Sequence, residues 1–194
     1  MAASGLRARG HKMILILGAG AVGSTLAAYL SAARRKVALH ARPSDLERLG
    51  AISRIRLTSA DGRLLLDVAR PPLVEDLRLQ GVTTLILAVK YPALAAVIDT
   101  LPDPIPDGCT LVSTLNGVAP LRLLRERRPG ARVFPMSVVM NLQCPDPLQI
   151  HLTTAAEVVL GTDDAQLRQV FDCPGLRLRC VAGDEAVWGK LLIN

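Results

Sequence analysis

Met13 to Leu17 form an unbroken apolar run that stops at Gly18-Ala19-Gly20-Ala21-Val22-Gly23, and Ser24 to Ala33 follow with helix-forming residues and no proline. A short continuous apolar run fits a strand buried on both faces, and its abrupt end in glycines marks a turn into a helix. Strand and helix patterns then alternate. Lys36 to Arg42 reads as a second strand that stops at Pro43 and Thr83 to Val89 as a third. Pro92 to Leu101 reads as a helix whose early proline lacks only an N–H that has no partner there. Cys109 to Leu115 is a further strand and Ala119 to Arg128 a further helix.

Two segments break this alternation. Between Ile55 and Val68, Arg56-Leu57-Thr58 and Leu64-Leu65-Leu66 flank Ala60-Asp61-Gly62, the signature of a hairpin. From Arg132, the runs Val133 to Met140, Leu148 to Thr153 and Glu157 to Leu160 read as successive strands that extend the sheet. A short helix, Ala165 to Phe171, and a strand, Leu176 to Val181, come next. Asp184 to Asn194 open a last helix with Asp184 in the N-cap place and no stop signal before the final residue. The pattern predicts an α/β fold, a Rossmann-type doubly wound and mainly parallel sheet with helices on both faces.

Composition narrows the function. Half of the 194 residues are hydrophobic but only 3 % are aromatic, so the core must be aliphatic. The net charge of +6 raises nucleic-acid binding, yet the arginines are scattered without the aromatics a base-stacking surface needs, which argues against it. No apolar run reaches the roughly 18 residues that a membrane-spanning helix requires, so a soluble, cytoplasmic protein is expected. Cys109, Cys144, Cys173 and Cys180 show no C-x-x-C spacing and no clustered histidines, so they read as reduced thiols rather than a metal site. Residues 1–12 read as a disordered basic tail.

Gly18, Gly20 and Gly23 have the Gly-x-Gly-x-x-Gly spacing of a dinucleotide-binding turn. In such a turn the first glycine makes the bend, the second admits a pyrophosphate and the third permits close packing of the helix. Residues 18–23 (Gly18, Ala19, Gly20, Ala21, Val22, Gly23) are therefore expected to hold the cofactor at the positive end of the helix. Where NAD-binding sheets carry an acid after the second strand, this chain has His40-Ala41-Arg42-Pro43-Ser44, with no carboxylate before Asp45. Arg42 would pair with a 2′-phosphate where an acid would repel it, so NADP(H) is the expected cofactor. His40 reads as a strand-end residue.

In addition to the glycine run and Arg42, three short signatures occur in order: Ala88-Val89-Lys90, Leu115-Asn116-Gly117-Val118, and Trp188-Gly189-Lys190-Leu191-Leu192-Ile193-Asn194. Together these resemble the ketopantoate reductases (2-dehydropantoate 2-reductases) over nearly all of the chain from Met13. The resemblance implies that Lys90 and Asn116 line the cofactor cleft, that Lys190 is the general acid, and that Asn116, Lys190 and Asn194 hold the substrate. Asn141, expected to close another strand, is a further candidate for the border of the cleft.

The implied reaction is hydride transfer from NADPH to the C2 ketone of a 2-keto acid, with a proton from Lys190. The family also has a second, helical domain that supplies substrate contacts and usually a dimer interface. Residues 13–183 are expected to be the NADP-binding domain, and residues 184–194 the first helix of a truncated helical domain. The chain alone is then expected to turn over substrate poorly. Two other readings stay open: a related reductase of another 2-keto or hydroxy acid, and a non-catalytic NADP(H)-binding module that dimerises through its terminal helix.

Overall fold

The computed structural model describes residues 12–191. In chain order the elements are β1 (Met13–Leu17), α1 (Ala21–Ala32), β2 (Lys36–His40), α2 (Pro43–Gly50), β3 (Arg54–Ser59) and β4 (Leu64–Ala69). They continue as β5 (Leu73–Val74), β6 (Val82–Leu87), α3 (Tyr91–Thr100), β7 (Thr110–Ser113), α4 (Ala119–Arg127) and β8 (Arg132–Val138). The last are β9 (Leu142–Asp146), β10 (Gln149–Leu152), β11 (Glu157–Leu160), α5 (Ala165–Phe171), β12 (Arg177–Cys180) and α6 (Glu185–Leu191). The expected basic tail lies, except for Lys12, outside the described residues.

The main sheet has the order β12-β11-β8-β7-β6-β1-β2-β5. Every pairing from β5 across to β8 is parallel, while β11 runs antiparallel to β8 and parallel to β12. The chain leaves β1 for β2 on one side and later crosses to β6 on the other, so a topological switch falls beside β1. Leu17 is in register with both His40 and Leu87, and Leu87 with Ser113. The carboxyl ends of four neighbouring strands thus lie level, the place where open α/β sheets bind ligands.

The apolar run of β1 is explained by cover on both faces. Ile14 and Ile16 belong to one core cluster with Leu26 and Leu30 of α1, whereas Leu15 and Leu17 belong to the other with Leu94 and Ile98 of α3 and Leu121 and Leu124 of α4. Each such fully buried side chain is worth about 1.5–3 kcal/mol of hydrophobic transfer.

One expectation needs correction. Leu148 to Thr153 does not extend the main sheet. Its core, β10, pairs parallel with β3 and antiparallel with β9 in a separate sheet of order β4-β3-β10-β9. The reason lies in its alternation: Ile150 and Leu152 are buried while Gln149 and His151 are not, which suits a sheet with one covered face. The predicted hairpin is present as β3–β4 in the same sheet. The covered face closes over α1, whose Leu26, Ala27, Ala28, Tyr29 and Leu30 are nearly inaccessible because sheet packs on both sides of the helix. Three further elements are additions, β9 among them. The polar segment after β2 forms α2, and Leu73–Val74 add a short edge strand.

α6 is fixed by its first turn. Ala186 and Val187 are buried, Ser137 Oγ of β8 donates to the Ala186 carbonyl, and the amides of Val187 and Trp188 donate to the Asp184 carbonyl. Asp184 does occupy the N-cap place, but its carboxylate turns to Arg125 of α4, accepting from Nη1 at 2.8 Å and Nη2 at 2.7 Å. That hydrogen-bonded fork holds the Asp184 carboxyl below the usual carboxylate range. Its stabilisation is therefore present above the unfolded-state value and is lost as pH falls through the lowered folded one. Arg125→Gln should cost under about 1 kcal/mol near pH 7, because both partners are part-exposed, and the difference from wild type should shrink as pH falls below the ordinary carboxylate range. Urea unfolding of both proteins across an acid pH series checks this, and a difference that does not shrink in acid contradicts it.

Candidate functional site

Three glycines build the turn after β1, each by a different steric requirement. Gly18 has φ +111°, and a methyl group on it would sit 2.6 Å from the Ala88 carbonyl oxygen in the turn after β6. A methyl at Gly23 would lie 1.8 Å from the Gly18 carbonyl oxygen, so the helix and its own turn meet backbone to backbone. The expectation for Gly23 was close helix–sheet packing. The Ile16 side chain of β1 lies 3.3 Å from that methyl, in line with it, and the closest approach of all is to the turn itself. Gly20 is the opposite case: a methyl there meets no atom within 4 Å, and the space above this N-cap of α1 is open.

The open space is part of a cavity of about 500 Å³ at the switch point, lined by Gly18, Ala19 and Gly20 on one side and Ala88, Val89 and Lys90 on the other. Ala21 and Val22 form the first turn of α1 behind it, half-buried. No side chain caps that helix and its first turn carries no acid, so its first amides and the positive end of its dipole face the cavity. An anion such as a pyrophosphate fits these surroundings.

The far rim is α2. Arg42 is its N-cap residue and Asp45 stands in its first turn. Arg42 donates to Asp45 Oδ2 from Nε at 2.8 Å and Nη2 at 2.7 Å, while Arg48 Nη2 reaches Oδ1 at 3.2 Å. All three residues line the cavity. The hydrogen bond from Arg42, with help from Arg48, holds the Asp45 carboxyl below its usual range. Spacing along the chain put Asp45 past the place of the ribose-binding acid, and the structure corrects this. One turn of helix after Pro43 folds it back to the rim.

Of the other predicted residues, Lys90 lines the cavity as the exposed N-cap of α3. His40 also lines it, with Nε2 2.9 Å from the Glu75 carbonyl oxygen, and burial lowers its pKa. Asn116 is exposed beyond the end of β7, just before Gly117 at φ +85°, and is not part of the cavity wall. The exit of β7 is pinned to that of β6, since Thr114 donates to the Leu87 carbonyl from its amide and its hydroxyl. Asn141 lies beyond β8 and is held by its backbone to Thr153 and Thr154. Lys190 stands in α6, and its side chain, like the whole of Asn194, lies outside the described residues. Asp45, Arg48 and Leu49 were missed as site residues because α2 was not recognised from its pattern, and Leu77 and Val97 complete the apolar wall from outside that helix.

Residues 14–165 match the family model described as ketopantoate reductase PanE/ApbA. The chain belongs to this family. Among solved structures, it is similar to a PanE/ApbA family ketopantoate reductase from Ralstonia eutropha JMP134, at 23 % identity and a TM-score of 0.79, over 94 % of this chain and 61 % of that one. A probable 2-dehydropantoate 2-reductase from Bacillus subtilis matches at 22 % identity and a TM-score of 0.78, over 94 % and 62 %. A D-mandelate dehydrogenase solved with NADH and anilino(oxo)acetate matches at 19 % and 0.74, over 94 % and 61 %. The chain thus spans about three-fifths of the length of these structures. No curated protein matches the sequence. Its family is one of oxidoreductases, and no helix among the described residues is long and apolar enough to cross a membrane.

Gly23 and Gly20 of this turn should respond unequally to a methyl group. Gly23→Ala should cost about 3 kcal/mol or more, because backbone must move, whereas Gly20→Ala should cost about 1 kcal/mol or less. Urea unfolding compares them, and equal losses would contradict the steric account.

Proposed function

We propose that this chain is the cofactor-binding part of a cytoplasmic, NADPH-dependent reductase that converts 2-dehydropantoate to pantoate, a step toward pantothenate. One observation carries the cofactor half of this reading: two arginines stand on the rim of the same cavity that the glycine turn and Lys90 line. The glycine turn and the amino end of α1 would hold the pyrophosphate, and Arg42 the 2′-phosphate of the adenosine ribose. When bound, NADPH supplies the hydride that reduces the C2 ketone to an alcohol.

The remaining work falls to the chain. Lys90 sits beside the glycine turn as a cation at the cavity wall, where it would orient the nicotinamide half and the substrate carboxylate. Asn116, beyond the neighbouring strand end, would hydrogen-bond the same ligands. Lys190 would donate a proton to the oxygen at C2 and offset its developing negative charge, and Asn194 would hold the substrate. The anchoring of α6 to β8 through Ser137 and Ala186 supports this reading, because it ties the helix that carries Lys190 to the main sheet. Residues 13–183 form the cofactor domain in this view, and residues 184–194 lead into a helical domain that completes the substrate pocket and a homodimer. Residues 1–194 alone would turn over substrate poorly, since orienting the ketone and excluding water need both walls of a cleft.

A second reading has an observation of its own. The carboxylate of Asp45 at the rim is the group that NAD-dependent sheets use on the ribose, and a fold neighbour of the chain was solved with NADH. A related reductase of another 2-keto acid is thus the alternative.

Titration of the 194-residue chain with each cofactor, followed by nicotinamide fluorescence, separates the two. NADPH should bind more tightly than NADH, and Arg42→Gln should reduce that preference about tenfold. Equal affinities in the wild type would overturn the NADPH reading.

A further inference from the structure

The rim of the cavity holds a carboxylate gripped by two guanidiniums. Asp45 Oδ2 accepts from Arg42 and Oδ1 from Arg48, so each arginine takes a separate oxygen of one anion. The carboxylate is largely covered while both arginine side chains are mostly exposed, at 19 % against 77 % and 62 %. Ion pairs three residues apart are common on helices and stabilise them weakly. This one differs in its place, because all three residues line the same cavity as Gly18, Gly20 and Lys90.

We infer that Asp45 is an internal counter-anion occupying the seat of the cofactor's 2′-phosphate, and that Arg48 is the second arginine of that seat. The inference rests on the NADPH reading and deepens it. A phosphate monoester has the charge and the oxygens to take both guanidiniums at once, which the carboxylate of Asp45 does in its absence. Asp45 plays two opposed parts. It keeps Arg42 and Arg48 together before the cofactor arrives, and it competes with the phosphate for them. The cost of its release is limited by position, since Asp45 stands in the first turn of α2 and keeps the dipole's positive end beside it when its arginines turn to the phosphate. The seat therefore selects a phosphate over a hydroxyl by less than two free arginines would. Asp45 sets that margin.

The probes are adenosine 2′,5′-bisphosphate, adenosine 5′-monophosphate and inorganic phosphate, titrated by calorimetry into the full 194-residue chain. Asp45→Asn keeps the side-chain shape and removes the competing charge. It should tighten the bisphosphate about fivefold and leave the monophosphate unchanged. Arg48→Gln should weaken the bisphosphate about threefold to fivefold, again without effect on the monophosphate. Inorganic phosphate should follow the bisphosphate in direction but bind far more weakly, because it lacks the adenosine.

An unchanged bisphosphate affinity in Arg48→Gln, or a weakened one in Asp45→Asn, overturns the two-arginine seat. If in that event Arg42→Gln still abolishes the preference for the bisphosphate, the NADPH reading stands without it. A wild-type chain that binds the bisphosphate no better than the monophosphate would overturn both. Circular dichroism of each variant confirms that α2 and the fold are retained, so that a change in affinity reports the seat.

Discussion

Two contacts between backbone segments, with no room for a side chain in either, determine where everything else in this molecule sits. At Gly18 the turn after β1 lies against the Ala88 carbonyl of the turn after β6, and at Gly23 helix α1 lies against the Gly18 carbonyl. These approaches bring the exits of two parallel strands and the start of a helix into one small volume. Because Gly20, between them, faces open space, the result is a crevice rather than a packed corner. The switch in strand order beside β1 provides the width of that crevice, and the level register of Leu17, His40 and Leu87 provides its floor.

The rest of the fold holds this corner in place. β1 is covered on both faces by separate core clusters, so its isoleucines and leucines are each held in a packed layer. α1 is enclosed between the main sheet and the small sheet, which fixes the direction in which its amino end points. The small sheet thus supports the site without contributing to it. Positive charge is spread along the crevice, with Arg42 and Arg48 at the rim, Lys90 at the wall and the amino end of α1 at the inner end.

What the sequence made legible depended on whether the cause was local. The glycine turn could be read because its steric demands fall within a few residues, and the β3–β4 hairpin because Asp61-Gly62 marks its turn. β10 was assigned to the wrong sheet because its partner β3 lies far back in the chain, and no local pattern records a parallel pairing at that distance. α2 escaped because Pro43 reads equally as the end of a strand and the start of a helix, and only Leu46 and Leu49 mark its buried side. Missing α2 meant missing Asp45 and Arg48, since only that turn of helix returns them to the cavity. Lys90 and Asn116 were found through a family resemblance, not through any periodicity.

In the proposed complex a dinucleotide lies across the crevice with its pyrophosphate over Gly20 and its adenosine ribose toward Arg42. Amide chemical-shift mapping of the isotope-labelled chain during titration with NADPH tests it directly. The largest shifts should fall on residues 18–23 and 88–90, with a second group at 42–48. Largest shifts in the small sheet, with residues 18–23 unmoved, would contradict it.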